Sequence, residues 1–98
     1  MILLAVLRLG QGAYSALVRR EIEDRAGRRV ARGALYTSLE RLEGKGCLKS
    51  RLGEPLPERG GRARRYLAVT PRGVRALREA QAAMAGLREG LDAVLERS

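Results

Sequence analysis

The run VARGALYTSLERLEGKG, Val30 to Gly46, decides the fold. Leu35, Leu39 and Leu42 recur at i, i+4 and i+7, so a helix over Arg32 to Lys45 lines them up on one buried stripe. Gly44 and Gly46 end it. The opposite face carries Ala34, Thr37, Ser38, Arg41 and Lys45, with the acids Glu40 and Glu43 away from its centre. Small side chains allow another surface to come close. Hydroxyls and guanidinium groups hydrogen-bond to phosphates or base edges.

Working outward towards the N-terminus, Gly27 stops a second helix expected over Ala13 to Ala26, with Tyr14, Leu17, Val18 and Ile22 on its apolar side. Arg19, Arg20, Glu23 and Asp24 form its solvated side. Gly10-Gln11-Gly12 ends a first helix whose opening run, Met1 to Leu7, is apolar. That run falls short of the about 20 residues that span a bilayer, and it lacks the basic leader and cleavage site of a secretion signal. It reads as a buried helix, with the native start allowed to lie slightly upstream.

Towards the C-terminus, Cys47 to Leu52 alternates Leu48 and Leu52 with Lys49 and Arg51, the pattern of a strand with one buried face. A loop follows over Gly53 to Gly61, holding Pro55, Pro57 and the pair Gly60-Gly61. Arg64 to Thr70 then gives a second strand, and the two strands make a hairpin with arginines at its end. Thr70-Pro71 is a hydroxyl N-cap followed by proline at the first helical position. A last helix is expected from Pro71 to Arg97, about 40 Å at 1.5 Å per residue. Its first turns pack Val74 and Leu77 on the body. Beyond them Met84, Leu87, Leu91, Val94 and Leu95 form an apolar stripe too long for so small a body to cover, which points to a second copy of the chain. The expected division is residues 1–70 as a winged-helix DNA-binding domain and 71–98 as a dimerisation helix.

Charge sharpens the reading. The net charge is +9. Arg25 to Leu39 holds Arg25, Arg28, Arg29 and Arg32 with no acid, and Arg59 to Arg78 holds seven more arginines with no acid. The rest of the chain therefore sums to −2. Arginine outnumbers lysine 18 to 2, a bias that explains the choice of cation but not the absence of acids from both windows. A polyanion partner explains it, since each phosphate neutralised releases counterions. The single cysteine, Cys47, excludes an internal disulfide and fits a reducing, cytoplasmic setting. With no histidine, the common zinc and Ser-His or Cys-His sites are closed to this chain. No metal, cofactor or enzymatic activity is expected.

Three helices, a basic hairpin and a long helix make a mainly α fold with a small β-hairpin (α+β), the winged helix-turn-helix. These residues also carry a resemblance. Gly33-Ala-Leu-Tyr-Thr-Ser-Leu-Glu-Arg-Leu42, the wing Gly60-Gly-Arg-Ala-Arg-Arg-Tyr66 and Leu67-Ala-Val-Thr-Pro-Arg-Gly73 resemble the PadR family of bacterial regulators over about Leu3 to Leu77. The resemblance, to the family's compact branch with one dimerisation helix, implies a winged-helix dimer that represses promoters and is often released by a small molecule. By matched position it places Gly33, Tyr36, Thr37 and Ser38 in the recognition helix, and Gly61, Arg62 and Arg64 in the wing. Gly53 to Gly61 is also similar to regulators encoded beside ABC-type permeases. Departures are Ala31-Arg32 where the family often has Ser-Pro, Ala13 where a glycine is common, and a second helix about two residues longer than usual.

The expected DNA-binding set is Arg32, Gly33, Tyr36, Thr37, Ser38, Arg41, Arg62, Arg64 and Arg65; the expected dimerisation set is Met84, Leu87, Leu91, Val94 and Leu95. An effector, if present, would sit between the first helix, the last helix and its symmetry mate, near Leu3, Leu7, Met84 and Leu87. The competing reading is a winged-helix protein–protein interaction module without specific DNA binding. RNA binding is disfavoured, because three scattered tyrosines offer little base stacking.

Overall fold

The computed structural model describes residues 1–55 and 63–97. In chain order it has α1 (Ile2–Leu9), a single 3₁₀ turn (Gly10–Gly12), α2 (Ser15–Ala26), α3 (Arg32–Gly44), β1 (Leu48–Pro55), β2 (Ala63–Val69), α4 (Pro71–Arg88) and α5 (Asp92–Glu96). Arg59, Gly60, Gly61 and Arg62, expected near the hairpin tip, lie outside the described residues.

The core forms where the apolar stripes meet. Leu3, Ala5 and Val6 of α1, Val18 and Ile22 of α2, Leu35 and Leu39 of α3, and Leu48 and Leu67 of the hairpin are buried together with Ala13 and Cys47. Leu42, Val69, Ala76 and Leu77 pack around this centre. The leucine stripe of α3 thus faces inward as its spacing requires.

β1 and β2 pair antiparallel from Leu48 opposite Val69 to Leu52 opposite Arg65, with a register shift before Pro55 meets Ala63. The sheet has a third participant that the sequence reading took for the start of α2. Ala13 and Tyr14 are extended, the Leu67 amide donates to the Ala13 carbonyl at 2.8 Å, and Tyr14 bridges Tyr66. This covers part of the free edge of β2. Consequently α2 begins at Ser15, two residues later than the expected Ala13. Tyr14 is a half-buried bridge residue and not a member of the helical stripe. Leu52, expected on the buried face of β1, is 71% exposed, and β1 runs on to Pro55 where a loop was expected from Gly53.

The last helix is not continuous. α4 ends at Arg88, Glu89 leaves the helical region at ψ 126°, and Gly90 takes φ +82° before α5 begins at Asp92. That left-handed value favours glycine and interrupts the hydrogen-bond ladder. α4 is therefore about 27 Å long instead of about 40 Å.

The start of α4 is held by a knot of polar contacts. The Thr70 hydroxyl accepts from the Gly73 amide at 3.0 Å and donates to the Gly46 carbonyl, while the Thr70 amide donates to the Cys47 carbonyl at 3.0 Å. Arg72 donates to the Lys45 carbonyl at 3.3 Å. Gly73 is buried where a Cβ would collide with the Cys47 carbonyl oxygen and the Val69 side chain. Two outcomes follow, both read by thermal or denaturant unfolding at fixed protein concentration. Thr70→Ala loses the cap and the link to Gly46 and should destabilise by about 2 kcal/mol, with Thr70→Ser close to wild type. Gly73→Ala should be worse still, because backbone and not a flexible side chain stands in the way.

Candidate nucleic-acid interface

α3 starts without a side-chain cap, at Ala31, with Arg32 in its first turn. With Leu35 and Leu39 turned into the core, the residues left outermost are Gly33, Thr37, Glu40 and Arg41, all exposed. Apart from its chain neighbours and the backbone of its own helix, no heavy atom lies within 4 Å of where a Cβ on Gly33 would stand, so the backbone there is open to a close approach. The Thr37 hydroxyl donates to the Gly33 carbonyl at 3.0 Å. Its proton is thereby committed, leaving an acceptor oxygen and a methyl group for an incoming surface.

The other predicted residues of α3 lie on its flanks. Tyr36, 52% exposed, leans towards α2 and the hairpin, where it lines one hollow with Ser15, Arg19 and Arg32 and another with Glu40 and Arg65. Ser38 is half-buried on the far flank, in a cleft with Met1, Ile2, Arg28 and Arg29. Arg32, Arg41 and Arg65 are exposed, and among the described residues they join no ion pair. Three arginines thus lie along α3 and the base of the hairpin, with Glu40 and Glu43 in the hollow that Arg65 lines.

The two wing arginines of β2 differ in setting. Arg65 faces α3. Arg64 points to the other side, where its guanidinium lies 4.4 Å from the centroid of the Tyr14 ring. Tyr14 and Tyr66 meet edge to face with centroids 5.9 Å apart, and Arg51 covers Tyr66 at 4.8 Å. Arg51 also donates to the Gln11 carbonyl at 3.4 Å. This ladder of two tyrosines between two arginines ties the hairpin to the turn between α1 and α2. Each stacking contact contributes about 0.5–1.5 kcal/mol. Arg62 lies outside the described residues.

Two further features escaped the sequence reading. The ladder was hidden because its members are far apart in the chain, although tyrosines at a helix start and in the hairpin offered a signal. The second is the grouping of Arg19 with Arg32. Arg19 was read as solvated, yet it lines the same hollow as Arg32, beside half-buried Glu23, which accepts from the Val30 amide at 3.2 Å and ties the α2–α3 connection to α2.

The apolar side chains expected at a dimer contact are all exposed: Met84, Leu87, Leu91, Val94 and Leu95, with Leu87 at 79%. Every residue from Arg78 to Arg97 is exposed, and Leu4 and Leu7 of α1 are exposed as well. Leu3 belongs to the core, so it does not line a cavity facing a second copy. No helix among the described residues is long and apolar enough to cross a membrane.

Comparison with known proteins agrees with this geometry. The profile of the transcriptional regulator PadR-like family matches residues 3–79. A PadR family transcriptional regulator from Eggerthella lenta DSM 2243 superposes with a TM-score of 0.75 at 29% identity, covering 99% of this chain and 82% of the other. A PadR-like transcription factor from Bacteroides fragilis gives 0.73 at 27% identity, covering 91% and 84%. No curated protein matches. A family match over most of the chain, on a fold whose third helix stands uncovered beside a basic hairpin, makes this chain a member of the PadR-like family of transcriptional regulators.

Proposed function

We propose that the protein is a homodimeric repressor that binds a palindromic operator in double-stranded DNA, with α3 in the major groove and the hairpin along the adjoining backbone or minor groove. The observation that carries this reading is the outward face of α3: Gly33, Thr37 and Arg41, exposed and flanked by Arg32 and Arg65. The major groove is about 12 Å wide and admits one helix. In this reading Thr37 and Arg41 approach base edges, with Tyr36 and Ser38 on the flanks reaching bases or phosphates. Arg32, Arg65 and Arg62 neutralise phosphates. Arg64, stacked on Tyr14, sets the hairpin's base and with it the position of its neighbours.

The twenty exposed residues from Arg78 to Arg97 supply the dimer contact, through Met84, Leu87, Leu91, Val94 and Leu95. Residues 1–70 then act as the DNA-binding unit and 71–98 as the dimerisation unit. Apolar side chains in that number would each forfeit about 1.5–3 kcal/mol if left in water. A small-molecule effector acting at the same junction, where Leu7 comes near Met84 and Leu87 of the two copies, would release the DNA by changing the spacing of the two α3 helices.

Selection of bound duplexes from a random pool tests the reading. A two-fold symmetric site with half-sites about 34 Å apart is expected; recovery without sequence preference would favour the protein-interaction module. On the selected site, Thr37→Ala should relax discrimination at one position of each half-site by about 1–3 kcal/mol while leaving affinity for scrambled duplex unchanged, measured by competition binding. Leu87→Asp combined with Leu95→Asp should convert a dimer into a monomer in analytical ultracentrifugation and weaken operator binding by more than tenfold, since one half-site is then lost.

A further inference from the structure

We propose that the cleft between α2 and the start of α3 is a phosphodiester site for the operator backbone, and that Arg19 and Arg20 are the residues that fill it. This rests on the DNA-binding reading and adds a contact on α2 that neither the charge windows nor the recognition helix revealed.

The cleft has a volume of about 560 Å³ and is lined by Ser15, Arg19, Arg20, Glu23, Arg32 and Tyr36, among others. Three guanidinium groups therefore face one acid. That acid is already engaged. Glu23 accepts from the Val30 amide at 3.2 Å, and its carboxylate stands 3.8 Å from the Arg19 Nε, too far for a hydrogen bond. Arg19 Nε is buried with no hydrogen-bond partner, and Arg20 and Arg32 join no ion pair among the described residues. α2 opens beside the cleft at Ser15 without a side-chain cap. Arg19 pairs with Glu23, but three guanidinium groups against one carboxylate leave an excess of positive charge at one place, which a tetrahedral anion with several acceptor oxygens would neutralise.

Position argues for DNA as the source of that anion. Arg32 and Tyr36 belong both to the cleft wall and to α3, so a duplex with α3 in its major groove carries one bordering strand past the cleft. Contacts of this kind fix register and orientation and carry no base information. A free polyphosphate is the other source of the same chemistry.

The test compares wild type with the double variant Arg19→Gln, Arg20→Gln on fluorescently labelled operator and scrambled 20-base-pair duplexes across a range of salt. Wild type should show a steep salt dependence. The double variant should lose about 0.9 in the slope of log affinity against log salt for each phosphate contact removed, up to about 1.8, on both duplexes, with the operator-to-scrambled ratio unchanged. Arg19→Lys, Arg20→Lys should recover most of the slope, which separates charge from folding. A single methylphosphonate at the bordering strand should weaken wild type and leave the glutamine variant unaffected. An unchanged slope, or a loss confined to the operator, overturns the site while leaving the DNA reading intact. Wild type without salt-dependent binding to either duplex overturns both. Inorganic pyrophosphate that raises the melting temperature of wild type but not of the glutamine variant, with the DNA slope unchanged, would assign the cleft to a free anion instead.

Discussion

Gly46-Cys47 and the stretch from Thr70 to Gly73 close on one another, and the rest of the molecule takes its orientation from that closure. Thr70 bonds at once to Gly46, Cys47 and Gly73, and Gly73 lies against the Cys47 carbonyl where no side chain fits. The end of α3, the start of β1, the end of β2 and the start of α4 meet within these few residues. A buried backbone carbonyl or amide left unpaired here would lose about 1–3 kcal/mol, so the four elements are fixed together or not at all. The consequence is functional. α3, the basic hairpin and α4 cannot move independently when the hydroxyl and amide of one threonine join them.

Around that point the energetics divide the chain into a satisfied half and an unsatisfied one. The body gathers most of its leucines and valines in or against one core, Leu4, Leu7 and Leu52 excepted. Beyond Arg78 no described residue is buried although the apolar residues continue. The radius of gyration of 16.0 Å, against about 13 Å for a compact chain of this length, expresses the same imbalance. Apolar surface arranged in a stripe outside the body is the mark of an interface. The interruption at Gly90 divides that stripe between α4 and α5, so a partner would be met by two short helical surfaces and not one straight rod.

Much of the fold was legible because it is local. The leucine spacing in α3, the glycines that end it and the Thr-Pro start of α4 each act within one or two helical turns, and each appears where expected. What could not be read depends on distant partners. Ala13 and Tyr14 carry a helical pattern but are drawn into the sheet by the Leu67 amide. Leu52 alternates correctly with Lys49 and Arg51, yet the sheet extends past the core before it is reached. The break at Gly90 is the reverse case: a local feature, a glycine inside an apolar helical pattern, whose left-handed geometry becomes visible only in the backbone. For the candidate interface, the sequence indicated charge and pointed to α3. It did not separate Thr37, on the outer face, from Ser38, on the flank, and it did not anticipate that Arg64 would stack on Tyr14 while Arg65 faces α3.

Chemical-shift mapping by nitrogen–proton correlation spectroscopy, as a duplex containing the selected site is titrated into labelled protein, tests the central claim most directly. Amides of Gly33, Thr37 and Arg41 should shift together with those of Arg65, saturating at one duplex per two chains, while those of α5 stay in place. Shifts confined to α4 and α5, or an α3 that does not respond, would contradict it.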